Sequence, residues 1–271
     1  MISKYVNLYF PISSLALNII LCIVFFSKKK VKNSDTFIFS ILLVFGLLES
    51  FVMFFTNLLV CFYFNDSTAF IFGILNKILY CIYILWLTTL LFYTYRIDND
   101  KSSKKVRILT NIFNIILFIL IFISPIDLYY ENGLTNSAGI SSYILYFGCS
   151  VYLIAMLYMA IKNYKKVKNK NKYIPLIFLI LLMNTMMVIR LVDPLFNISS
   201  NIFAIVLLMM FFTIENPDMK LLEEVHKSKE ISDAANEEKM LFLYNMTQEI
   251  RNTTDDINDN ADLILESDSI D

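Results

Sequence analysis

Histidine, glycine and proline are scarce in this chain of 271 residues, which has one His, five Gly and five Pro. The single histidine, His226, and the four cysteines lack the spacing of zinc ligands, because the cysteines are scattered singly through apolar stretches. We therefore expect no metal site, no cofactor and no catalytic constellation. The cysteines are interpreted as small packing residues: Cys22, Cys61, Cys81 and Cys149.

Charge is also scarce, since charged residues make up only 17% of the chain and nearly cancel to a net charge of -1. Nucleic-acid binding requires an exposed excess of Lys and Arg, so this composition argues against a nucleic-acid partner. The chain is instead rich in hydrophobic residues, at 57%, and its mean hydropathy is +0.61. A water-soluble fold cannot bury so much apolar surface, so we expect a membrane protein whose first partner is the lipid bilayer.

Seven apolar runs are long enough to cross a bilayer as helices, which requires about 20 residues each. The first run lacks a small-residue cleavage pattern and is interpreted as an anchor, not as a removable signal peptide. The predicted fold class is all-α, a polytopic bundle of seven transmembrane helices followed by a cytoplasmic helix. The predicted spans are 5–26, 36–55, 71–94, 108–124, 142–161, 173–192 and 196–214.

Basic residues occur in every second loop between these spans. Lys and Arg cluster after spans one, three and five, whereas the loops after spans two, four and six contain none. Because basic loops are retained in the cytoplasm during insertion, the pattern places the N-terminus outside and the C-terminus inside the cell. The longest loop predicted to lie outside, 127–140, is too short for a separate sensor domain.

Four ionisable residues lie within or beside the predicted spans: Glu49, Lys77, Arg190 and Asp193. Charged groups in a membrane are costly, so they usually face the interior of a bundle and find partners there. The sequence permits a buried pair or triad of Glu49, Lys77 and Arg190, which we interpret either as a sensing pocket or as structural contacts between helices. Five asparagines are candidates for hydrogen bonds between helices: Asn57, Asn76, Asn111, Asn114 and Asn184.

Polar residues dominate after Ile214, so we expect two regions, a transmembrane sensor domain over 1–214 and a cytoplasmic helix over 215–271. Residues spaced three and four apart predict a helical seam in this second region, and such a seam is typical of a coiled-coil homodimer. The members of the seam are Leu243, Met246, Ile250, Thr253, Ile257, Asn260 and Ile264.

The segment 235–251, ANEEKMLFLYNMTQEIR, resembles the phosphoacceptor helix of bacterial sensor histidine kinases, commonly F-L-x-x-M-S-H-E-I-R-T-P. The resemblance covers only the tail, and it implies a signal-transduction receptor in a bacterial plasma membrane. It also implies a response regulator or a partner kinase as the next component. The matching residues are Phe242, Leu243, Met246, Glu249, Ile250 and Arg251.

Gln248 stands where that family has its phosphorylated histidine. An amide nitrogen is a poor nucleophile because its lone pair is delocalised into the carbonyl, so we expect no autophosphorylation. Glu249 stands at the family's general-base position, and Asn252 stands where related kinases place a Thr or Asn that orients water for phosphatase action. The sequence therefore predicts a degenerate phosphoacceptor motif.

No Gly-rich or Asn-bearing ATP-binding segment follows this motif before Asp271. We expect that the chain binds no ATP in the manner of that family, either as the N-terminal part of a longer protein or as a kinase-dead regulator. A transporter or channel with an accessory cytoplasmic helix is the alternative, although the scarcity of Gly and Pro provides few breaks within the spans.

Overall fold

The computed structural model describes residues 6–29, 33–63, 65, 68–98, 104–131, 134–163, 173–192 and 197–268. Over these residues the protein is predominantly helical, as the sequence predicts. The helices are α1 (Val6–Ser27), α2 (Ser34–Tyr63), α3 (Ala69–Asp98), α4 (Lys104–Ile123), α5 (Ile140–Asn163), α6 (Ile174–Val192), α7 (Ser199–Thr213) and α8 (Pro217–Asp268).

Within the described residues, six helical stretches are long and apolar enough to cross a membrane. The sixth begins with α7 and continues into α8, and α7 is its apolar part. Helix α6 contributes a shorter apolar stretch, Ile174–Met186, so the seventh span stays a prediction. The six stretches are Leu8–Ser27, Ser34–Tyr63, Ala69–Tyr95, Lys104–Ile123, Ile140–Lys162 and Ser199–Leu265.

Helix α2 continues past Phe55 and reaches Tyr63. The apolar run continues without Gly or Pro, so nothing in the sequence breaks the helix earlier. The next helix begins after a reciprocal pair of hydrogen bonds: the Thr68 amide donates to Asn65 Oδ1 and the Asn65 amide donates to Thr68 Oγ1, both at 3.0 Å. This pair caps the start of α3 in the manner of a capping box.

Helix α3 carries the most buried aromatic seam of the bundle. Tyr83, Trp86, Leu90 and Tyr93 are spaced three and four residues apart and are all buried. The Trp86 ring centroid lies 4.4 Å from that of Phe203 on α7, which packs α3 against the last apolar helix. The core extends through the bundle and takes residues from α1 to α7, with α2 packed against α1 and α3, and α3 packed against α5.

Large apolar side chains cover much of the outside of the bundle. Helix α4, for example, buries few residues and exposes a broad isoleucine face. A surface of this kind is unfavourable in water and suits the hydrocarbon of a bilayer. The exposed isoleucines of α4 are Ile108, Ile112, Ile115, Ile116, Ile119 and Ile123.

The predicted loop 127–140 contains a β-hairpin, which the all-α prediction missed. Strand β1 (Asp127–Glu131) pairs antiparallel with β2 (Leu134–Ala138). The sequence holds a signal for this hairpin, because an Asn-Gly dipeptide at 132–133 separates two short segments with Tyr and Thr. The hairpin is attached to α3 by Tyr80, whose hydroxyl lies 2.5 Å from Ser137 Oγ.

Two compact units divide the chain, Met1–Pro217 and Asp218–Asp271. The second unit consists of most of α8, a helix of 52 residues. From Leu222 to Leu265 its residues are exposed, apolar ones included. Assignment of the two units to a sensor domain and a signalling helix stays a prediction.

Gly139 joins the hairpin to α5 with a φ of 91°, in the left-handed region that other residues rarely adopt. We expect Gly139→Ala to destabilise the protein by about 1–2 kcal/mol, because of this backbone strain. An added Cβ would also lie 2.9 Å from Asp127 Oδ2. The measurement is thermal unfolding in detergent, with Gly73→Ala as the control, where the added Cβ would meet only Ile126 Cγ2, at 3.2 Å. Equal unfolding temperatures of the two variants would contradict this expectation.

Candidate intramembrane site

Glu49 lies in the middle of α2, and its side chain is 0% exposed. A carboxyl group in this position has lost its hydration, which is costly unless protein hydrogen-bond donors replace the water. Side chains from α2, α3 and α7 contact it, and α1 reaches it through Ser50. Glu49, one of the candidate sensing residues, therefore lies in the core.

Hydroxyl groups from three helices contact the Glu49 carboxyl group. Ser200 of α7 donates to Oε1, and Ser50 of α2 donates to Oε2 at 3.2 Å. The hydroxyl of Tyr83 on α3 also lies within hydrogen-bonding reach, and it pairs with Ser199 Oγ at 2.8 Å. Glu49 therefore joins α2 to both α3 and α7.

Asn18 extends this network to α1. Its Nδ2 donates to Ser50 Oγ at 2.6 Å and to the Gly46 carbonyl at 3.1 Å. Its Oδ1 has no hydrogen-bond partner among the described residues, and the same holds for Nε1 of the buried Trp86. An ideal Cβ on Gly46 would lie 3.8 Å from the first atom and 3.7 Å from the second. An acceptor and a donor thus face one glycine beside Glu49. We call these residues, Asn18, Gly46, Glu49, Ser50, Tyr83, Trp86, Ser199 and Ser200, the Glu49 network.

Lys77 does not pair with Glu49. Its Nζ donates to the carbonyls of Phe122 at 3.0 Å and Ser124 at 2.7 Å, at the C-terminal end of α4. The last carbonyls of a helix have no partner within the helix and carry partial negative charge, so a lysine there is favourable. Lys77 lies about two turns into α3, on the side where α4 ends, and a Glu49–Lys77 pair is therefore not formed.

The other two predicted sensing residues are described less fully. Arg190 belongs to α6, but its side chain lies outside the described residues, and so does Asp193. The triad is excluded with the Glu49–Lys77 pair, and a contact of Arg190 with Glu49 stays a prediction.

Glu215, which the sequence analysis does not single out, is a second buried carboxylate at 1% exposure. Its Oε1 accepts a hydrogen bond from the Tyr93 hydroxyl at 2.6 Å, and its Oε2 accepts one from Thr36 Oγ1 at 3.1 Å. Its amide donates to the Met210 carbonyl at 3.0 Å, and the same carbonyl accepts from the Ile214 amide, so these two bonds close the C-terminal end of α7. We call Glu215, Thr36 and Tyr93 the Glu215 clamp.

One of the five asparagines predicted to join helices does so clearly. Asn114 of α4 donates to Thr88 Oγ1 of α3 at 3.0 Å and accepts a hydrogen bond from the Tyr152 hydroxyl of α5. Three others donate to carbonyls of their own helix: Asn57, Asn76 and Asn184. The fifth, Asn111, is exposed.

The predicted phosphoacceptor-like motif lies within α8. Gln248, Glu249 and Asn252 are all exposed, and α8 continues through Thr253. Gln248 Nε2 lies 3.5 Å from the Tyr244 hydroxyl one turn earlier. The motif is therefore accessible on a regular helix.

No protein-family model, curated protein or solved structure matches this chain. The roles of its residues are inferred from the contacts described above.

The separation of Glu49 from Lys77 can be tested with double-mutant cycles. We expect the effects of Glu49→Gln and Lys77→Met on the free energy of unfolding to add within about 0.5 kcal/mol, because the two side chains share no partner. Glu49→Gln and Ser200→Ala form the matched cycle, and we expect a coupling of about 0.5–3 kcal/mol because these residues touch. The measurement is unfolding in detergent micelles. Coupling in the first cycle as large as in the second would restore the Glu49–Lys77 pair.

Proposed function

We propose that this protein is a membrane-embedded signalling receptor whose cytoplasmic helix pairs with that of a second copy. The observation that carries the proposal is the exposed apolar seam of α8, a helix of 52 residues. Met246 is 44% exposed and Ile250 is 64% exposed, although both occupy seam positions. Long helices with such a stripe gain most of their stability by burying it against another helix.

The composition of the seam favours a partner that can change its pairing. Apolar residues alternate with Thr253 and Asn260, and polar residues within a seam lower its stability while restricting its register. A second copy of the chain supplies an identical seam, and the membrane holds both copies parallel. Such a marginal pair is suited to transmit a small rotation or shift.

The position of Gln248 around α8 supports the likeness to sensor histidine kinases. A helix turns by about 100° per residue, so Gln248 and Asp255 face away from the seam that contains Leu243 and Met246. In a paired helix Gln248 would remain accessible to a second protein. Because its amide is a poor nucleophile, we infer a receptor that does not phosphorylate itself at this position.

The bundle is proposed to have seven spans, with the N-terminus outside and the C-terminus in the cytoplasm of a bacterial cell. Helix α6 has 19 residues and is about 28 Å long, close to the hydrocarbon thickness of about 30 Å. An odd number of spans agrees with the alternation of basic loops. The Glu49 network is then the candidate for the sensing site within the membrane.

Disulfide crosslinking in membranes tests the pairing of α8. In a background with the four native cysteines replaced by alanine, we expect Leu243→Cys and Met246→Cys to form disulfide-linked dimers, because symmetric seam positions approach each other. Asp255→Cys on the opposite face is the control and should crosslink far less. Equal crosslinking at all three positions, or none at any, would contradict the receptor proposal.

The loss of phosphorylation is tested at Gln248. We expect no acid-labile, base-stable phosphate on the unmodified chain incubated with ATP and the ATP-binding domain of a related kinase. Gln248→His should restore such labelling, because imidazole supplies the missing nucleophile. Radiolabelled ATP provides the measurement, and Gln248→Asn serves as a control of similar polarity. Radiolabelled phosphate on the unmodified chain, or its absence from Gln248→His, would contradict the proposal that Gln248 replaces a phosphoacceptor histidine.

A further inference from the structure

Hydrogen bonds to buried carboxyl groups hold helix α7 at both of its ends. At its start, Ser200 donates to Glu49, and immediately after its end Glu215 binds Thr36 and Tyr93. The two attachments lie roughly 20 Å apart along the helix. Helix α7 also leads through residues 214–216 directly into α8.

We propose that the Glu215 clamp couples the Glu49 network to α8, with Glu215 as the positioning residue that transmits displacement of α7. This inference rests on the proposed receptor function, because it gives α8 a signal to receive. The inference gives a role to the Glu215 carboxyl group, which is part of neither the α8 seam nor the predicted phosphoacceptor-like motif.

The interior of α7 is suited to carry a displacement from one end to the other. Ile202, Phe203, Val206, Leu207 and Met210 are each 1% exposed or less. Residues packed at this density do not deform independently, so a shift at Ser200 moves the helix as a unit. The shift would therefore reach Glu215.

The clamp is specific because of its chemistry. Tyr93 and Thr36 donate to different oxygens of one carboxyl group and come from α3 and α2. A buried carboxylate that leaves one donor must find another, so the clamp favours a small number of discrete arrangements over continuous sliding. The two positions of such a clamp would correspond to two positions of the start of α8.

The experiment measures how a change at Glu49 alters crosslinking on α8 with and without an intact clamp. Cysteines are placed singly at Met246 and Thr247 in membranes, and the ratio of their disulfide yields is recorded. We expect Glu49→Gln to change this ratio by about fivefold, the lower end of ordinary coupling between sites. In Tyr93→Phe, which removes one donor to Glu215, we expect the same Glu49→Gln change to leave the ratio within about twofold.

Two further variants keep the result interpretable. Thr36→Val removes the other donor and replaces Tyr93→Phe if that variant shows no cooperative thermal transition. Tyr158→Phe is the matched control, because Tyr158 is exposed on α5 and 63% accessible. A Glu49→Gln response in Tyr158→Phe equal to that of the unmodified chain is required for the proposal to hold.

The outcomes separate this inference from the receptor proposal. A Glu49→Gln response that survives in both clamp variants overturns the role of Glu215 and leaves paired α8 helices intact. The role of Glu215 is also overturned if a clamp variant unfolds part of the protein while the molecules that remain folded keep the Glu49→Gln change in crosslinking ratio. Failure of every seam cysteine to crosslink, with an unmodified clamp, overturns the receptor proposal itself.

Discussion

A carboxylate inside an apolar bundle is stable only where hydrogen-bond donors replace its water, and this constraint organises the described bundle. Glu49 accepts hydrogen bonds from Ser200 of α7 and from Ser50, and Ser50 in turn accepts one from the Asn18 amide of α1. Glu215 accepts hydrogen bonds from Thr36 of α2 and Tyr93 of α3. Apolar packing in a membrane is weakly directional, because the lipid is as apolar as the side chains. The two carboxylates therefore give the four helices fixed positions along and around their axes.

Because of the same constraint, Lys77 and Glu49 have different hydrogen-bond partners. Lys77 satisfies the terminal carbonyls of α4 and so stabilises the end of the bundle that carries the hairpin. Glu49 instead lies among the neutral hydroxyl groups of Ser50, Tyr83 and Ser200. The unpartnered Asn18 oxygen and Trp86 nitrogen, in the part of the chain that the structure describes, lie beside it. Lys77 therefore binds the end of a helix, whereas Glu49 joins α2 to α3 and α7.

Much of the fold follows from the sequence, whereas the partners in the site do not. Hydropathy locates the apolar helices, and the polar tail after Ile214 is recognised as a separate helix. The hairpin at 127–138 was missed because long apolar runs dominated the interpretation, although its Asn-Gly signal is present. Glu49 is a candidate for burial from sequence, and the adjacent spans permit a pair with Lys77 that the structure does not form. Adjacency does not fix the direction of a side chain, which depends on the rotation of each helix about its axis.

The sequence by itself determined a helical, membrane-compatible chain with a polar helix at its end, because hydropathy and periodicity are local properties of the chain. It also determined that Gln248 lacks the nucleophile of a phosphoacceptor, since that is the chemistry of one side chain. Only the tertiary structure decided that Ser200 binds Glu49 and that Tyr93 and Thr36 bind Glu215. Each of these contacts joins residues far apart in the chain, so its formation depends on how several helices pack together and not on any one segment.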